Sequence, residues 1–99
     1  MTPEGRIKAR IDVMLKARDD TWWFKPVQHG MGTRALDYVG CTSGYFWAVE
    51  AKAPGKEPDN YQRITIKQML EAGAKVFKIS SDDGLTAFNR WINGVNDGH

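Results

Sequence analysis

The run Tyr45-Phe46-Trp47-Ala48-Val49-Glu50-Ala51-Lys52 constrains the fold more than any other stretch of the chain. Aromatic and branched side chains suit a pleated, half-buried surface, so the run reads as a strand, and it is the strongest strand signal present. The loop Ala53-Pro54-Gly55-Lys56-Glu57-Pro58 follows at once, and its two prolines and glycine exclude regular structure. Before the run, Ala35 to Cys41 reads as a second strand interrupted at Gly40, with Thr42-Ser43-Gly44 as the hairpin turn. A sheet built on this antiparallel hairpin is the expected centre of the molecule.

The remaining elements arrange themselves around that hairpin. Thr2-Pro3-Glu4 combines an N-cap, a proline at the first helical position and an acid in the first turn. Ile7, Ile11, Met14 and Leu15 then form an apolar stripe at helical period, and Asp19-Asp20 closes the helix. Thr21-Trp22-Trp23-Phe24-Lys25 reads as a strand that stops at Pro26, and Gly30-Met31-Gly32 as a flexible connection to the hairpin. Asp59 or Asn60 caps a helix running to about Ala72, with Ile66, Met69, Leu70 and Gly73 on its apolar stripe and Gln62 on the same face. Lys75 to Ile79 is a fourth strand, and Ser81-Asp82-Asp83 opens a last helix carrying Leu85, Phe88 and Ile92. The order α-β-β-β-α-β-α predicts an α/β fold with a mixed sheet flanked by helices.

A length of 99 residues predicts one small domain spanning 1–99. With 26% charged and 41% hydrophobic residues, composition excludes a disordered tail, a collagen-like fibre and a low-complexity linker. No stretch approaches the ~18 consecutive apolar residues of a bilayer span, and the polar start shows no signal peptide. The single cysteine, Cys41, excludes a disulfide within one chain and a cysteine-based zinc site, so a cytosolic location is expected. Net charge is only +2, but residues 1–18 carry five basic residues against two acidic ones, and residues 50–78 six against four. Such patches permit phosphate-backbone binding without requiring it.

Asp37, Glu50 and Lys52 stand out by position. Glu50 and Lys52 are two apart on a strand and project from one face. Asp37 is the lone charge in Ala35-Leu36-Asp37-Tyr38-Val39, and antiparallel pairing through the short turn brings it beside Glu50. Adjacent carboxylates repel unless a cation lies between them. Oxygen ligands without histidine or thiolate suit a hard ion such as Mg²⁺ or Mn²⁺. A lysine beside a metal-bound water positions it or offsets negative charge during attack on a phosphodiester. The plainer alternative is a cross-strand ion pair of Lys52 with Asp37 or Glu50. His29 reads as a solvated surface residue, Cys41 as a small buried one, and the four tryptophans as core or interface; Trp22 and Trp23 point to opposite faces of their strand.

Taken in order, Asp37, the stretch from Gly44 to Lys56 containing Glu50-Ala51-Lys52, and Gln62 eleven residues before Gly73 resemble the PD-(D/E)XK nuclease superfamily. The set looks most like its virus-type replication-repair nuclease (VRR-NUC) family, in the stand-alone form found in bacteriophages. The resemblance extends from Glu4 through Ser80. It implies that Asp37 and Glu50 are metal ligands, that the Ala51 carbonyl joins them, and that Lys52 is the catalytic lysine. Gln62 matches the family glutamine of the following helix, and Glu4 the acidic residue of the first helix. Leu36 stands where the superfamily name expects proline, a residue that makes no metal contact. The implied function is a Mg²⁺-dependent DNA endonuclease, with Mn²⁺ as substitute, selective for branched DNA such as the four-way Holliday junction. Arg6, Arg10, Lys56, Arg63 and Lys67 are the candidates for gripping the DNA backbone. A junction has two-fold symmetry, so a homodimer is the expected working unit, with the first helix and the Thr21-to-Lys25 strand as its candidate interface. The competing readings are an exonuclease or nicking enzyme, and a non-catalytic nucleic-acid-binding domain of the same fold.

Overall fold

The computed structural model describes residues 1–27 and 34–95. Helix α1 (Pro3–Lys16) begins at the Thr2 cap, whose hydroxyl accepts the Gly5 N–H at 2.9 Å. Strands β1 (Thr21–Phe24), β2 (Tyr38–Thr42) and β3 (Tyr45–Ala51) form an antiparallel meander. Helix α2 (Asn60–Glu71) crosses over to strand β4 (Lys75–Ile79), which pairs parallel with β3, and helix α3 (Asp82–Gly94) closes the chain. The sheet order is β1-β2-β3-β4, giving the mixed α/β architecture read from the sequence. No helix among the described residues is long and apolar enough to cross a membrane. His29 and the Gly30-Met31-Gly32 connection lie outside the described residues.

Two faces of the sheet are used differently. Tyr38, Trp47, Val49, Ala51 and Ile79 face Ile11 and Leu15 of α1 and Phe88 and Ile92 of α3, and these side chains form the core. Helix α2 covers part of the other face, where Ala48 and Glu50 are buried. Strand alternation sends Trp23 against the core and leaves Trp22 exposed, as the opposite-face reading requires. Cys41 shares the outer face with Trp22 and is only half-buried, which corrects its reading as a buried residue.

Two element boundaries shift, and one residue of the expected apolar stripe turns outward, for physical reasons. The second strand starts at Tyr38 rather than Ala35, because at Asp37 side-chain carboxylates replace backbone carbonyls as acceptors: the Ala51 N–H bonds to the Asp37 carboxylate and the Asp37 N–H to that of Glu50. It runs on to Thr42, so the hairpin turn is Ser43-Gly44, both with positive φ (52° and 85°) as a tight two-residue turn demands. Leu70 is exposed, since the inward face of α2 centres on Gln62, Thr65, Ile66 and Met69.

Gly40 does not interrupt its strand; it makes room. A Cβ there would sit 2.5 Å from the Trp47 ring and 2.7 Å from the Trp22 carbonyl oxygen. Trp47 is fully buried and donates from Nε1 to Thr42 Oγ1 at 3.1 Å, so it has no freedom to retreat. Gly40→Ala should therefore destabilise the fold by about 1–3 kcal/mol in urea unfolding. Gly84→Ala is the control, because its nearest neighbours lie at ordinary contact distance and the position is helical. It should be neutral or stabilising by up to ~1 kcal/mol.

Candidate active site

Local structure delivers four side chains to one end of the sheet. The β2–β3 register continues from Tyr38↔Val49, which sets Asp37 opposite Glu50. The Asp37 N–H donates to Glu50 Oε1 at 3.1 Å, and the Ala51 N–H donates to Asp37 Oδ2 at 2.9 Å. Each carboxylate is thus held by the other's strand. Lys52 Nζ lies 3.3 Å from Glu50 Oε2, and the Lys52 N–H continues the parallel ladder to the Ile79 carbonyl at 3.0 Å.

Gln62 reaches the same place from α2. The Asp59 carboxylate caps this helix by accepting the Gln62 N–H at 2.8 Å, and Gln62 Oε1 accepts the Asp59 N–H at 3.0 Å. That reciprocal pairing is a capping box. It orients the remaining amide nitrogen, Nε2, to donate to Glu50 Oε2. Helix capping and contact with the site are therefore two uses of one side chain.

From α1, Glu4 arrives indirectly. Lys8 lies between, its Nζ 3.2 Å from Glu4 Oε2 and 3.6 Å from Asp37 Oδ1. Sequence reading passed over Lys8, although its place one turn after Glu4 was the signal that both share a face. The helix is docked by Tyr38, whose single hydroxyl proton is shared between Asp12 Oδ1 at 2.7 Å and the Lys8 carbonyl at 3.1 Å. Lys25 braces Asp12 at 2.7 Å. Burial opposes the Asp12 charge, but the Lys25 and Tyr38 bonds outweigh it and hold its carboxyl below the usual range.

Electrostatics at the centre are unbalanced. Glu50 is only 2% exposed. Burial first, and the Asp37 charge second, push its carboxyl up to about 7 despite the attraction of Lys52. Lys8 behaves oppositely: burial disfavours its charge, yet Asp37 and Glu4 prevail and raise it above its ordinary value. Among the described residues no three acidic, histidine or cysteine side chains group as metal ligands. Asp37 and Glu50 are a pair, matching the one or two carboxylates that Mg²⁺ usually takes from a protein.

The outlying basic residues are dispersed. Arg10 pairs with Asp82 of α3, and Lys67 lies 4.0 Å from Glu71 on its own helix. By helical rotation Arg6 and Arg10 sit on the opposite side of α1 from Glu4 and Lys8. Lys56 and Arg63 are exposed, in the loop after β3 and on α2.

A solved structure titled "VRR_NUC domain" superposes on this chain with a TM-score of 0.73 and 25% sequence identity, covering 88% of this chain and 94% of its own. The chain thus has the fold of a VRR-NUC domain. No family model matches the sequence, and no curated protein does. Among the described residues, the four-strand mixed sheet and three helices keep the α-β-β-β-α-β order of the PD-(D/E)XK core.

The raised Glu50 carboxyl sets a pH dependence. A carboxyl raised on folding from 4.5 to about 7 penalises the folded state fully above pH 7. The penalty fades as pH falls toward 4.5, whereas the lowered Asp12 loses its contribution only below its ordinary value of 3.8. In EDTA, the melting temperature should rise as pH is lowered from 8 to 5.5. Glu50→Gln should flatten that slope; an unchanged slope in differential scanning fluorimetry would show that Glu50 is not its source.

Proposed function

We propose that this chain is a nuclease of the VRR-NUC type, a divalent-metal-dependent DNA endonuclease acting on branched DNA such as four-way junctions, and that it works as a homodimer. The observation that carries this reading is Glu50: a buried carboxylate facing Asp37, with Lys52 and Gln62 both directed at its oxygens. A structural ion pair has no use for a second carboxylate pressed against the first. A bound cation relieves that repulsion, and an all-oxygen donor pair favours Mg²⁺ or Mn²⁺.

Asp37, Glu50 and the Ala51 carbonyl would hold the ion, which supplies Lewis-acid neutralisation of the scissile phosphate and a more acidic water. The chain's own residues do the rest. Gln62 fixes the orientation of Glu50 through the capped start of α2. Lys52, mostly shielded from solvent, donates to the attacking water or to the phosphoryl oxygens as their charge grows. Water then forms the new phosphorus–oxygen bond as the bond to the leaving sugar oxygen breaks. Lys56 and Arg63, exposed near the start of α2, are placed for the flanking backbone; the pairing of Arg10 with Asp82 makes it a weaker candidate.

Support for the dimer comes from apolar surface that is exposed among the described residues. Edge strand β1 presents Trp22 and Phe24, and α1 presents Val13 beside a groove lined by Ala9, Met14 and Leu85. Paired cuts across a symmetric junction need two sites related by a two-fold axis.

Plasmid, linear duplex, single-stranded and four-way-junction DNA incubated with Mg²⁺, Mn²⁺, Ca²⁺ or EDTA test the activity and its selectivity. Cleavage in Mg²⁺ or Mn²⁺ but not EDTA is expected, with the junction preferred; end-dependent degradation would indicate an exonuclease, and binding without cleavage a binding domain. Glu50→Ala should abolish cleavage and weaken Mn²⁺ binding by calorimetry. Lys52→Ala should slow cleavage on the order of 10²-fold or more while Mn²⁺ still binds; a wild-type rate would leave the Lys52–Glu50 pair as purely structural. Light scattering at micromolar concentration should give twice the chain mass. A species that stays monomeric on junction DNA and nicks one strand would refute both dimer and resolvase.

A further inference from the structure

Lys8 stands within the acidic cluster but has no part in the scheme above. Its helix is not free to move there. The Lys8 carbonyl is bonded by the buried Tyr38 hydroxyl, which is itself anchored on Asp12. The ammonium meets two carboxylates from different elements, Glu4 one turn back on α1 and Asp37 ahead of β2. The Asp37 carboxylate is also divided between two directions: Oδ2 accepts from Ala51 beside Glu50, and Oδ1 faces Lys8. In two-metal phosphodiesterase sites the ions stand about 3.5–4 Å apart, and hard divalent ions take oxygen ligands such as carboxylates. Asp37 would be the carboxylate shared by such a pair, with Glu50 on one side and Glu4, reached across Lys8, on the other.

We propose that the Lys8 ammonium is a built-in substitute for a second divalent cation, filling the position between Glu4 and Asp37 and limiting this site to one metal ion. The inference rests on the reading that Asp37 and Glu50 hold a metal, and it deepens that reading. Charge supports it. Glu4, Asp37 and Glu50 with Lys8 and Lys52 carry a net charge of −1 when all are ionised. One divalent ion brings the cluster to +1, the complement of a single phosphodiester. A second ion would raise it to +3 within a few ångströms, against strong repulsion. Without the Lys8 charge the cluster falls to −2, and Glu4 and Asp37 become a vacant acidic pair. In this scheme Glu4 is a positioning residue that acts through Lys8 and not a metal ligand.

The ordinary alternative is an i,i+4 helix pair of little energetic consequence. Removing such a pair would leave metal stoichiometry untouched. The test is therefore Mn²⁺ titration of the full chain by calorimetry, with electron paramagnetic resonance to detect spin-coupled ions. Wild type should bind one Mn²⁺ per chain with no coupled signal. Lys8→Met keeps the aliphatic stem but not the charge. It should bind two Mn²⁺ and show coupling, and Lys8→Arg should return to one. Adding Glu4→Gln to Lys8→Met should remove the second ion and keep the first. Lys8→Gln serves as a second neutral variant, should Lys8→Met misfold by circular dichroism. Two ions in wild type, or one ion in every correctly folded neutral variant, would overturn the inference alone, provided that Glu50→Ala still loses the first ion. No Mn²⁺ binding by wild type would overturn the metal reading itself and the inference with it.

Discussion

The structure turns on a buried carboxylate that its own chain does not fully neutralise. Glu50 accepts from the Asp37 main chain, from Gln62 and from Lys52, so its oxygens are well supplied with donors. Hydrogen bonds answer the directional needs of the group, but they do not cancel the cost of placing one negative charge beside another away from water. The raised pKa expresses that residue of unbalanced charge. Much of the surrounding architecture serves to keep Glu50 where it is: the hairpin register, the capped start of α2, and the parallel pairing that continues past Ala51 into Lys52.

A second set of contacts holds α1 against this site. Tyr38 points to the core face while its neighbour Asp37 turns to Glu50, so adjacent residues dock the helix and build the site. Burial of the phenol, and then its bond to Asp12, drive the Tyr38 pKa upward, so the hydroxyl stays a donor. Lys25 from the end of β1 completes the clamp on Asp12. Farther along the hairpin, the missing Cβ of Gly40 leaves room for the Trp47 ring within the core. Packing there and polar clamping at the site end therefore fix the same two strands. Displacement of α1 would carry Glu4 and Lys8 away from Asp37 without disturbing Glu50.

Capping chemistry and site chemistry are fused in α2. An isolated capping box is worth on the order of 1 kcal/mol to its helix. Here it also sets the rotamer of Gln62, because its carbonyl oxygen is committed to Asp59 and only Nε2 remains for Glu50. The helix start and the carboxylate are consequently positioned by one side chain, which ties the outer helix to the strand end more tightly than apolar packing alone. The thin apolar cover of α2, with Leu70, Ile64 and Tyr61 exposed, makes that polar tie the more consequential.

Periodicity in the sequence determined the seven elements and their order, and the short turn determined that Asp37 would meet Glu50. These are local matters: alternation, caps and a two-residue turn depend on neighbours along the chain. The Glu50-Ala51-Lys52 spacing likewise determined that Lys52 would share a face with Glu50, and the structure joins them at 3.3 Å. What sequence reading missed lies between separate elements. Lys8 reads as one more charge on a polar helix flank until Tyr38 docks α1 and sets its ammonium between Glu4 and Asp37. Arg10 reads as a free cation until α3 supplies Asp82. Gly40 reads as a break until the Trp47 ring fills the space above it. In each case the deciding partner stands on another element, and the charge balance of the site depends on how helices seat against the sheet. Only tertiary packing sets that, because a pairwise contact across dozens of residues leaves no periodic trace in either segment that makes it.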